Sequence, residues 1–105
     1  MKKDGTKYEL HVARKMRFHG YVFVKHSGRS GDFGADIIAR TLFLRKIVVQ
    51  CKSYSHKVGV RAVQEVIAAR QYYGASRAAV ATNSTFTRSA QKLAKACKVE
   101  LWEKY

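Results

Sequence analysis

The stretch Lys46-Ile47-Val48-Val49-Gln50-Cys51-Lys52, KIVVQCK, is a short apolar run rich in β-branched residues, the pattern of a buried strand. Side chains alternate along a strand, so Val48, Gln50 and Lys52 share one face and Ile47, Val49 and Cys51 the other. A core strand that ends on an amide and an ammonium, side by side, needs a reason for holding them there.

The segments on either side supply the frame. Downstream, residues 53–58 form a polar loop, and VRAVQEVIAARQYYG (60–74) is a helix with Val63, Val66 and Ile67 inward and Gly74 as its C-cap. RAAVATN (77–83) is a strand, residues 87–98 a helix with Thr85 as candidate N-cap, and VELW (99–102) a last short strand. Upstream, ADIIAR (35–40) is a strand joined to KIVVQCK through RTLFLR (40–45), a connection without Gly, Asn or Asp whose tip is apolar. YVFVK (21–25) is a strand, and HSGRSGDFG (26–34) is a loop punctuated by three glycines. Residues 4–18 place Tyr8, Leu10, Val12, Ala13 and Met16 at helical spacing before a stop at Gly20. The order α-β-β-β-α-β-α-β predicts a three-layer α/β domain, a mixed sheet flanked by helices.

A chain of 105 residues suffices for one domain, 1–105, and is too short for two. Hydrophobic residues make up 47%, which excludes a disordered basic tail. Lys and Arg number 21 against 7 Asp and Glu, a formal net charge of +14. Such an excess points to a polyanionic partner, nucleic acid before membrane, because the cations are scattered rather than set on one amphipathic helix. The start MKKDGTKYEL has no apolar signal core, and no run reaches membrane-spanning length. Cys51 and Cys97 lack CxxC spacing and read as reduced core residues. The expectation is a cytoplasmic protein.

Acids are scarce, so each is informative. Pairing through the 40–45 hairpin brings Asp36, at the start of one strand, beside Gln50 and Lys52 at the end of the next; alternation puts Asp36, Ile38 and Arg40 on one face. A carboxylate, an amide oxygen and an ammonium at neighbouring strand ends can hold a hard cation, since Mg²⁺ takes oxygen ligands from one or two carboxylates and fills the rest with water and phosphate. The competing reading is a structural Asp–Lys pair with Gln50 satisfying a loop backbone.

The blocks GDFGADIIA (31–39) and IVVQCK (47–52), followed by AVQEV (62–66), YYGA (72–75), TNSTFT (82–87) and VELW (99–102), resemble in that order the Mrr-type restriction endonuclease catalytic domain of the PD-(D/E)xK nuclease superfamily. The resemblance implies a mixed sheet flanked by helices and a Mg²⁺-dependent cut in DNA, with Mn²⁺ as a substitute. It assigns Asp36 to the motif's Asp, Gln50 to the acidic position in its Gln-containing form, Lys52 to the Lys, and Glu9 to the acid of the first helix. The Cys51 main-chain carbonyl is a further candidate ligand. Archaeal Holliday-junction resolvases share the superfamily, so a branched-DNA resolvase is an alternative, as is a DNA-binding module without activity.

Lys25, Arg29, Ser53, Lys57 and Arg61 are candidate phosphate contacts around this site, and His26 and His56 flank it in the same capacity. Asp32 is either a partner of the site or the stabiliser of its own turn. Gln64 either faces the site or lies on a solvated helix face. Leu42, Phe43 and Leu44 form an apolar tip that serves a weak homodimer or folds back onto the domain. Tyr72, Tyr73 and Trp102 read as core or interface packing. Neither a membrane nor a small-molecule substrate is expected.

Overall fold

A computed structural model describes residues 3–26 and 34–105, with side chains from residue 7 onward. Among them, helix α1 (Lys3–Phe18) precedes strands β1 (Val22–His26), β2 (Ile37–Arg40) and β3 (Lys46–Lys52). Helix α2 (Val60–Tyr73), strand β4 (Arg77–Thr82), helix α3 (Arg88–Cys97) and strand β5 (Glu100–Trp102) follow. The expected element order is the observed one, with ends shifted by one or two residues.

The strands lie in the order β1-β2-β3-β4-β5. β1, β2 and β3 pair antiparallel, whereas β3–β4 and β4–β5 are parallel. The chemistry of the connections explains the split. A tight hairpin can join only antiparallel neighbours, and a parallel return needs a crossover long enough for a helix; α2 and α3 supply these crossovers.

Alternation along β3 sorts the core into two layers. Ile47, Val49 and Cys51 join Val12, Ala13 and Met16 of α1 on one face. Val48 joins Val63, Val66 and Ala69 of α2, together with Ala90 and Ala94 of α3, on the other. With both faces covered, β3 is buried along its five central residues, which is why its sequence is nearly continuous in apolar residues. Cys51 is buried, but Cys97 is only partly buried against the α2–α3 layer, so the reading of both as core residues holds for the first alone.

Local chemistry refines two expectations. The N-cap of α3 is Thr87, not Thr85, since the Thr87 side chain accepts from the Ala90 N–H; the Thr85 carbonyl instead accepts from the Val58 N–H. The latter bond belongs to a small bridge, Val58 to Phe86, that ties the β3–α2 loop to the β4–α3 loop. The hairpin at 41–45 turns without glycine because Leu44 itself takes a left-handed conformation (φ 64°). The Thr41 hydroxyl accepts from the Phe43 and Arg45 N–H groups, and Arg40 donates to the Leu44 carbonyl. The tip does not fold back: Leu42, Phe43 and Leu44 are 74%, 89% and 57% exposed.

Gly34, just before β2, has φ +81°, and a Cβ there would stand 2.3 Å from the Glu65 carbonyl oxygen of α2. The loop crosses α2 where no side chain fits. Gly74 is also left-handed (φ +64°), but its Cβ would meet open space. Gly34→Ala should therefore lose at least about 2 kcal/mol, through strain plus a backbone clash, and Gly74→Ala only about 1 kcal/mol. Urea denaturation of both variants measures the difference; equal losses would contradict the close approach.

Candidate active site

The antiparallel register of β2 and β3 pairs Ile37 with Val49, and the Asp36 N–H donates to the Val49 carbonyl at 2.9 Å. Asp36 thus sits at the mouth of the sheet, where β3 delivers Gln50 and Lys52. Its Oδ2 accepts the Cys51 N–H at 2.8 Å. Asp36 and Gln50 are each only 6% exposed. Burial raises the Asp36 carboxyl from 3.8 to about 6. The Cys51 N–H and the Lys52 charge oppose the rise; the charge and hydrogen bond of Glu9 add to it. Glu9, on α1, reaches the same end of the sheet, where His26 Nε2 of β1 lies 2.6 Å from its Oε1. The Cys51 thiol, buried beside these two carboxyls, is pushed well up and stays protonated and inert.

Gln50 is held from one side. Its Nε2 donates to Glu65 Oε1 at 2.9 Å, and the same Oε1 receives Lys52 Nζ at 3.4 Å. A carboxylate only accepts, so it fixes which end of the amide faces it. The amide oxygen is thereby turned the other way, and Gln50 Oε1 is buried without a hydrogen-bond partner among the described residues. A buried acceptor without a partner costs about 1–3 kcal/mol, which makes Gln50 Oε1 a candidate ligand for a cation. The end of β3 is anchored independently, as Thr82 Oγ1 donates to the Lys52 carbonyl at 2.6 Å and Asn83 Oδ1 accepts the Tyr54 N–H.

Glu65 was not singled out by the sequence, whereas its neighbour Gln64 was. The structure puts Gln64 on the exposed side of α2, the solvated alternative, and turns Glu65 to the site. The available signal was the i, i+3, i+7 stripe formed by Ala62, Glu65 and Ala69, of which the two alanines are buried. His26, a candidate phosphate contact, has its Nε2 2.6 Å from Glu9 Oε1. His56 is exposed and packs its ring on Tyr54, 4.6 Å between centroids. Lys25, Ser53, Lys57 and Arg61 are exposed on β1, the β3–α2 loop and the first turn of α2. Arg29 and Asp32 lie outside the described residues. Tyr72 is exposed, while Tyr73 and Trp102 pack on the two core layers.

A carboxylate, an inward amide oxygen and a nearby second carboxylate suit a hard divalent cation that keeps part of its water shell. Among the described residues no three His, Cys, Asp or Glu side chains are arranged to hold a metal by themselves, so a cation here would complete its shell with the Gln50 amide oxygen, a main-chain carbonyl or water. Among the described residues no helix is long and apolar enough to cross a membrane.

Comparison with known proteins agrees with this architecture. A family model described as a restriction endonuclease, the Mrr catalytic domain, matches residues 1–105. No curated protein matches. Among solved structures, a DNA modification-dependent restriction endonuclease, AspBHI, superposes with a TM-score of 0.75 at 16% identity, covering 97% of this chain and 29% of its own. A repair endonuclease from Pyrococcus abyssi gives 0.72 at 16% identity, covering 98% and 47%. EndoMS in complex with double-stranded DNA gives 0.58 at 18% identity, covering 80% and 35%. These identities speak for a shared fold, and the chain spans less than half the length of each of the three.

The raised Asp36 carboxyl has a thermodynamic consequence. Below pH 4 both folded and unfolded chains hold the proton. Between pH 4 and 6 the unfolded chain releases it while the folded one keeps it, so stability falls as pH rises, by on the order of 3 kcal/mol in total. In chelator-treated buffer, Asp36→Asn should be more stable than wild type at pH 8 by about 1–3 kcal/mol, with the gap closing toward pH 4. Urea titrations at the two pH values measure it, and a pH-independent gap would refute the assignment.

Proposed function

Because the chain belongs to the family of Mrr-type restriction endonuclease catalytic domains, we propose that it hydrolyses phosphodiester bonds in DNA with the help of Mg²⁺, or Mn²⁺ in its place. The observation that carries this reading is Gln50 Oε1, buried without a hydrogen-bond partner among the described residues, on the strand end whose Cys51 N–H donates to Asp36. Asp36, Gln50 and Glu9 would hold the cation, joined by the Cys51 main-chain carbonyl. The cation, when bound, would polarise a water and neutralise phosphate charge.

The remaining work falls to the chain. Asp36 must give up its proton to become a ligand, and with its carboxyl raised to about 6, cation affinity should rise steeply through that pH. Lys52, steadied by Glu65, orients the attacking water or offers its charge to the phosphate in the transition state. Glu65 also returns to the site the negative charge that a neutral Gln50 lacks. Exposed Lys25, Ser53, Lys57 and Arg61 grip the DNA backbone around the cut, within a field of net charge +14.

Asp36→Ala and Lys52→Ala should each lower cleavage of plasmid DNA at least ~100-fold while leaving DNA affinity nearly unchanged, because the binding charge is spread and the transition-state contacts are few. Wild-type cleavage by Asp36→Ala would end the assignment. Gln50→Leu should weaken Mg²⁺ binding in calorimetry. Gln50→Glu alone sets two carboxylates against each other at the Glu65 contact, so the exchange Gln50→Glu with Glu65→Gln should bind Mg²⁺ better than either single change.

We also propose a weak homodimer through the exposed tip Leu42–Leu44, since a double-strand cut needs two sites or one acting twice. Two +14 chains repel, so salt should favour the dimer by screening yet weaken DNA binding. Sedimentation of wild type and Phe43→Asp at low and high salt tests it; a monomer under every condition, including on DNA, would leave a nicking enzyme.

A further inference from the structure

His26 is the last residue of β1, and the β1–β2 register sets it opposite Ile37, one residue from Asp36. Its Nε2 meets Glu9 Oε1 at 2.6 Å, with the two side chains 16% and 18% exposed. Since an ionised Glu9 can only accept, Nε2 carries the hydrogen. The packing of α1 on the sheet, through Val12, Ala13 and Met16, fixes the helix but not the end of a glutamate with three rotatable bonds. Electrostatics opposes the observed placement as well. The register that sets His26 opposite Ile37 brings its partner Glu9 to the end of the sheet that holds Asp36, and two carboxylates repel when both are ionised. Without a tether, Glu9 would turn toward water.

We propose that His26 is a positioning residue, whose hydrogen bond holds the Glu9 carboxylate against Asp36 so that two acids from opposite layers converge on one divalent cation. The inference rests on reading Asp36 and Gln50 as a cation site, and it assigns His26 a role apart from DNA. Side chains that orient metal-binding groups in this way typically cost 10- to 100-fold in metal affinity when lost.

Calorimetric titration of the whole chain with Mn²⁺ and with Mg²⁺, without DNA, decides the matter. His26→Ala should bind about tenfold more weakly or worse, and His26→Gln, which keeps an N–H donor, should recover most of the loss. On a Glu9→Ala background, His26→Ala should cost nothing further, because its effect passes through Glu9. His26→Leu retains bulk without a donor and must bind as weakly as His26→Ala; it serves if the alanine variant does not fold. Wild-type affinity in His26→Ala or His26→Leu, or losses that add on the Glu9→Ala background, would overturn the proposal, as would a defect confined to DNA affinity. Asp36→Ala separates the two levels. If it binds the cations as wild type does, the cation site itself is misassigned; if it loses them while the His26 variants do not, only the role of His26 is.

Discussion

One carboxylate oxygen, Glu65 Oε1, receives both the Gln50 amide and the Lys52 ammonium. Much of the molecule is arranged so that this contact forms. Strand β3 must be buried on both faces to hold Gln50 out of water, which requires α1 on one side and α2 on the other. Helix α2 must lie close enough for Glu65 to reach the strand end, and the loop before β2 passes over it at Gly34, where even a methyl group would strike the Glu65 carbonyl. The fold and the site are thus joined at a single residue of α2. Turning the amide nitrogen toward Glu65 leaves the amide oxygen facing the other way, buried and without a partner among the described residues.

The arrangement is expensive in the absence of a ligand. Burial raises the Asp36 carboxyl to about 6. The Gln50 oxygen forgoes a hydrogen bond. Each feature destabilises the fold by an amount comparable to a typical point mutation. Strain of this kind concentrates at functional sites and is offset by packing elsewhere. Here the offset comes from the alanine-rich interfaces of α2, α3 and β4, which let the helices lie close on the sheet.

The sequence made the frame legible because periodicity reports burial. KIVVQCK could be split correctly into its two faces by alternation, and pairing through the 40–45 hairpin brings the start of β2 to the end of β3. What it could not show depends on rotation about a helix axis and on side-chain reach. Gln64 and Glu65 are adjacent and both polar, and only the roll of α2 decides which one meets β3. His26 closes a contact with a residue 17 positions away, on an element whose docking angle no local pattern encodes. The tip at 41–45 lacked turn residues because Thr41 and a left-handed Leu44 perform the turn, a solution invisible to composition.

The most direct test of the account is the position of a bound cation. Crystals of the chain soaked in Mn²⁺ should show one anomalous scattering peak within coordination distance of both an Asp36 carboxylate oxygen and Gln50 Oε1, with the Gln50 amide nitrogen still turned to Glu65. A peak away from Gln50, or an amide whose oxygen faces Glu65 instead, would contradict it.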